Sequence, residues 1–72
     1  MKEGTTGTLT FGDGTTARVE LEKILTYTSS GMPPDYLFKY EEGETNRPLI
    51  HENFNGSFPL PEMIASMYFK QD

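Results

Sequence analysis

Between Thr16 and Thr28 the chain holds a two-residue alternation for longer than any other stretch of it does, and that pattern restricts what can be built around it. Ala17, Val19, Leu21, Leu25 and Tyr27 fall on one side with Lys23 as the exception, and Arg18, Glu20, Glu22, Thr26 and Thr28 fall on the other. A strand with one apolar and one wet face requires neighbours to pair with and a layer to cover the apolar side. The same residues admit a helical reading, since Leu21, Ile24, Leu25 and Thr28 also meet the i, i+3, i+4, i+7 spacing of an amphipathic helix. The β-branched and aromatic ending Leu25-Thr26-Tyr27-Thr28 and the weak N-cap options before Ala17 favour the strand, and the helix over 17–28 stays as its alternative.

The residues before this segment point to a hairpin. Leu9 and Phe11 share one side of Gly7-Thr8-Leu9-Thr10-Phe11, and Gly12-Asp13-Gly14 follows as a turn signal. A two-residue Asp13-Gly14 turn would set Leu9 opposite Arg18. A three-residue loop instead pairs Phe11 with Thr15, Leu9 with Ala17 and Gly7 with Val19, which keeps the apolar face clean. That loop needs positive φ at its last position, and Gly14 supplies it. A phosphate-cradling role for these glycines lacks the lysine and the following helix that a P-loop requires.

Downstream, Ser29 to Asp35 carries a glycine and two prolines and cannot continue a ladder, so it reads as a loop. Met32 within it either folds back on the core edge or is presented to a partner. Tyr36-Leu37-Phe38-Lys39-Tyr40 reads as a short strand with Tyr36, Phe38 and Tyr40 on one face. Such an aromatic stripe is either core or a docking surface, and tyrosine suits an interface well. Glu41, Glu42 and Glu44 around Gly43 form an acidic turn read as solvated, since their spacing does not match a calcium loop. Arg47 to His51 reads as a short edge strand because of Pro48, and Asn55-Gly56 as a turn between Phe54 and Phe58. The segment Pro61 to Lys70 reads as a helix with proline first, Glu62 early and Lys70 late. Its apolar stripe of Leu60, Met63, Ile64, Met67 and Tyr68 is expected to lie across the apolar face of the sheet, with a partner-docking helix as the alternative.

Seventy-two residues make one small domain spanning 1–72, with residues 1–6 expected to fray, and so small a core favours self-association. There is no cysteine, which excludes a disulfide framework and thiol-bound metal or clusters. The polar start and the absence of a long apolar run lead to the expectation of a soluble cytoplasmic protein without membrane contact. A net charge of −5 repels phosphate backbones, so direct nucleic-acid binding is not expected, and a basic protein surface fits the sign better. His51 is the only histidine, and no residue pattern supplies it with a nucleophile or acid partner.

The order of elements leads to an α+β fold: a small twisted antiparallel sheet of three to four strands with one C-terminal helix. An SH3-like small β-barrel with a helical tail is the alternative. For function, the chain has the profile of a non-enzymatic binding protein, a small adaptor or inhibitor acting by protein–protein contact, similar in profile to phage or mobile-element inhibitors of host proteins. Tyr36, Phe38, Tyr40, Met32, Met63 and Met67 are the candidate contact residues. No cofactor and no metal are expected. A homo-oligomer holding a small ligand at its subunit interfaces and an acidic DNA mimic are the alternatives. Mimicry is weakened by Lys23, Lys39 and Arg47, which interrupt the acidic residues.

Overall fold

The computed structural model describes residues 1–27, 31–47 and 56–72. They form β1 (Thr6–Thr10), β2 (Thr16–Leu25), β3 (Asp35–Tyr40), β4 (Ser57–Pro61), α1 (Glu62–Tyr68) and β5 (Phe69–Gln71). The strands make one antiparallel sheet of five in the order β4-β3-β2-β1-β5. The α+β expectation holds, and the strand count is five rather than three or four. In place of the barrel with a helical tail, the ladder is open, with β4 and β5 as its edges and α1 leading from one edge to the other. Of the edge strand expected over residues 47–51, Arg47 is described and lies in no strand, while residues 48–51, with His51, and the turn begun by Phe54 and Asn55 lie outside the described residues.

The long alternating segment is a strand, and its hairpin with β1 has the three-residue loop. Leu9 pairs with Ala17 and Gly7 with Val19, the Phe11 N–H donates to the Thr15 carbonyl at 2.8 Å, and Gly14 takes φ of 90°. Gly7 has a further role. A Cβ on it would press into the Lys70 carbonyl oxygen and come within 2.7 Å of the Phe69 ring, so glycine lets β5 and its aromatic close over β1.

The alternation of β2 breaks where Lys23 made it irregular. The register against β3 shifts between Leu21 and Lys23, so Leu21 pairs with Phe38, Lys23 with Leu37 and Ile24 with Tyr36. Glu22 is the extra residue of a bulge. Because one added residue exchanges the faces, Ile24 packs against the core while Lys23 and Leu25 turn to the polar side, where the strict alternation had placed Leu25 and Tyr27 inward. Residues 1–6, expected to fray, are tied down. The Gly4 N–H donates to the Leu21 carbonyl at 2.8 Å, and the Glu3 carboxylate accepts the Ile24 N–H at 3.0 Å beside the bulge.

Leu9, Ala17, Val19, Leu21, Phe38, Tyr40, Phe58, Ala65 and Phe69 make the core on one face of the sheet. Phe38 is its centre, with ring centroids 5.0 Å from Phe69 and 6.2 Å from Phe58, while Tyr40 lies 5.1 Å from Phe58. Pro59 and Pro61 are accommodated because β4 is an edge strand.

The helix is shorter than expected and turned the other way. Pro61 belongs to β4 and serves as the N-cap, and the Glu62 N–H donates to the Pro34 carbonyl at 3.2 Å. At the far end Phe69 leaves helical geometry at φ −98° and ψ 124°, so that Lys70 lies in β5 and not in the last helical turn. Burial of Phe69 against Phe38 and pairing of β5 with β1 outweigh a further helical turn. Ala65 is the one buried residue of α1 and belongs to the core cluster with Phe38, Phe58 and Phe69. Of the stripe expected to cover the sheet, Leu60 packs against the core from β4, and Met63, Ile64, Met67 and Tyr68 are exposed.

Candidate functional site

A seven-residue helix is about 10 Å long and does not persist by itself, so α1 is held by what it joins, β4 at one end and β5 at the other. With Ala65 facing the core, the rotation of about 100° per residue carries Ile64 and Tyr68 to one flank, Met63 and Met67 to the outer side and Glu62 to the opposite flank. Met63 is 73% exposed and Met67 62%. Beside the first flank lies a groove of about 240 Å³, walled by Leu9 and Phe11 of the hairpin, Leu60 of β4, and Ile64 and Tyr68 of α1, with Thr10 and Gly12 completing it. The outer face adjoins the groove through Ile64 and Tyr68, and the lining of the groove holds no charged side chain.

Of the six residues named as contact candidates, the aromatic stripe goes to the fold. Phe38 and Tyr40 are buried and leave no surface for a partner, which corrects the docking reading for both. Tyr36 is partly buried, its ring edge-on to Phe38 at 6.4 Å. The physical reason is the pairing of β3 on both sides, with β2 and β4, which makes it a central strand whose stripe faces the covered side. Met32, Met63 and Met67 are exposed. Met63 and Met67 stand together on α1, while Met32 is in the loop before β3 and does not line the groove. Ile64, Tyr68, Leu60, Leu9 and Phe11 complete the surface and were not named from the sequence. Their signal was present in the helical stripe, expected to cover the sheet with a partner-docking helix as the alternative, and in the Leu9/Phe11 pair, assigned to the apolar face of the hairpin.

The opposite face of the sheet carries an ion-pair network centred on Arg18. Its guanidinium donates to both carboxylate oxygens of Asp72, at 2.5 and 2.6 Å, and to Glu41 at 3.2 and 3.4 Å. The paired carboxylates raise the Arg18 pKa further above its ordinary value. Hydrogen bonds from Arg18, and then from the Thr6 hydroxyl, lower that of Asp72 to about 2. The acidic turn is not simply solvated. Past the end of β3, the Glu41 N–H donates to the Arg18 carbonyl at 3.1 Å, and the Glu44 carboxylate accepts the Arg18 and Asn46 N–H groups, which lowers its pKa. The Glu44 carboxylate thus completes the backbone pairing of β2 at Arg18, while that of Glu41 is taken up by the Arg18 guanidinium.

Among the described residues no group of three or more His, Asp or Glu is placed to hold a metal ion, and no helix is long and apolar enough to cross a membrane. Comparison of the chain with protein-family models, curated proteins and solved structures returned no match.

Proposed function

We propose that this protein is a non-enzymatic binding module, an adaptor or inhibitor that acts by protein–protein contact through the outer face of α1 and the adjoining groove. The observation that carries the reading is the outward rotation of the helix. The fold closes on Ala65 and Phe69 and leaves four large apolar side chains in one patch instead of scattered over the surface. Two methionines at its centre can repack against a partner at small cost. The sheet edges offer less: β4 is blunted by Pro59 and Pro61, and β5 is three residues long. A small-ligand site is supported less well, because the groove is smaller than the ~300–1,000 Å³ usual for such pockets. Nucleic-acid mimicry is also supported less well, since Arg18 and Lys39 neutralise carboxylates on the polar face.

Photo-crosslinking tests the reading. With benzoylphenylalanine at position 63 or 67, the protein should form a discrete adduct in an extract of its own cells, competed away by excess unmodified protein. The same probe at Glu20, on the polar face, should form none. Adducts that excess protein does not compete, or equal labelling from both faces, would overturn the proposal.

A further inference from the structure

Methionine commonly fills irregular gaps in protein cores, and this chain does not use it so. Its four methionines, Met1, Met32, Met63 and Met67, are all exposed, from 47% to 73%. Among the described residues the buried core is built from Leu, Ala, Val, Phe and Tyr instead. The chain has no cysteine, so every sulfur it carries is a thioether open to solvent. Met63 and Met67 are the two most exposed of the four and stand one helical turn apart on the outer side of α1. The groove beside them is walled by other residues and holds neither.

Resting on the protein-contact reading of α1, we propose that Met63 and Met67 are a reversible oxidation site, at which hydrogen peroxide releases the contact surface from its partner and leaves the fold intact. A sulfur lone pair attacks one peroxide oxygen and the O–O bond breaks. The thioether becomes a sulfoxide, oxidised by two electrons, and the other oxygen leaves as water. A methionine sulfoxide reductase reverses the step: a dithiol is oxidised to a disulfide and the sulfoxide oxygen departs as water. The sulfoxide oxygen is a strong acceptor on a side chain that was apolar. Pressed into an apolar contact, it loses its water without gaining a partner. In the free protein it stays hydrated, because both side chains point away from the core, and the core has no sulfur to oxidise. The walls of the groove, among them Leu9, Phe11, Leu60 and Ile64, are unchanged by the same reagent, so the modification acts on the outer side of the helix.

The experiment treats the whole protein with dilute hydrogen peroxide and follows it by peptide mass mapping, by thermal melts and as a competitor for the adduct that benzoylphenylalanine at position 67 forms in cell extract. Met63 and Met67 should each gain one oxygen no more slowly than Met32. The oxidised protein should melt within about 5 °C of the untreated one. As a competitor it should be at least about tenfold weaker, and sulfoxide reductase should restore it. Met63→Leu with Met67→Leu keeps the apolar bulk and removes both sulfurs, so after the same treatment it should compete as its untreated form does. Equal competition by the oxidised parent would overturn the inference and leave the protein-contact reading standing. Loss of competition by the treated leucine variant would place the effect at Met1 or Met32 and overturn it too. Resistance of Met63 and Met67 to peroxide that oxidises Met32 would do the same, as would a large fall in melting temperature on oxidation. Should untreated protein itself fail to compete, the protein-contact reading falls and takes the inference with it.

Discussion

Two residues of this protein matter for reasons that their neighbours in sequence do not reveal. Gly7 lies mid-strand, where glycine is ordinarily a weakness, but the Phe69 ring and the Lys70 carbonyl occupy the space a Cβ would need. Gly7→Ala should destabilise by about 1–3 kcal/mol, as overpacking does. Gly12→Ala, with open space around it and no positive φ, should be close to neutral; equal losses in denaturant melts would place the constraint in the chain's flexibility and not in the contact. Asp72 is the second such residue. Its carboxyl titrates at about 2 in the folded protein against an ordinary 3.8, so the folded state binds fewer protons than the unfolded one between those values. The stability it contributes is complete above about pH 4 and is lost as pH falls towards 2. Asp72→Asn should lower the melting temperature at pH 7 and reduce the slope of melting temperature against pH below about pH 4. An unchanged acid limb would show that the pairing with Arg18 carries no such weight.

At the scale of elements, β2 and α1 both depart from simple periodicity. In β2 the bulge at Glu22 exchanges the faces, and Lys23, awkward in a strict alternation, is the residue that escapes burial. In α1 the side facing the protein is set by the smallest residue. Ala65 joins the core cluster of Phe38, Phe58 and Phe69, and the larger apolar residues take the flank and outer side. Ala65→Leu should therefore destabilise by about 1–3 kcal/mol by forcing the helix off the aromatic layer. Met67→Ser should change stability by less than about 0.5 kcal/mol, as exposed substitutions do. A large loss from Met67→Ser in thermal melts would mean that the outer face is used by the fold itself and would remove the basis for a contact surface there.

At the scale of the whole molecule, a single aromatic holds the layers together. Phe38 lies on β3, which pairs with β2 on one side and β4 on the other, and meets Tyr36, Phe58 and Phe69, so it ties the middle of the sheet to the strands before and after α1. A domain of this length has roughly 4–11 kcal/mol of net stability. Phe38→Ala should cost about 3–5 kcal/mol through lost burial and the cavity left behind, a large share of that total. The variant should melt below about 40 °C or be unfolded at room temperature, as followed by far-UV circular dichroism. A melt within a few degrees of the parent would show that the core has a second centre.

What could be read from the residues alone was local. The β1–β2 hairpin was legible down to its register, because Gly12-Asp13-Gly14 and the clean facing of Leu9 with Ala17 leave one consistent loop. The strand identity of residues 36–40 and the existence of a helix after Pro61 were legible from propensity and periodicity. Tertiary structure alone decided the fifth strand, since Phe69 to Gln71 is extended only because β1 offers an edge and Phe38 a contact. It also decided which side of α1 is inner. Periodicity names an apolar stripe but does not state how the strands at both ends turn the helix, and α1, joined directly to β4 and β5, has Ala65 inside and the methionines out. The acidic turn followed the same logic: its carboxylates look solvated until β2, outlasting β3, presents the Arg18 backbone N–H for Glu44 to accept.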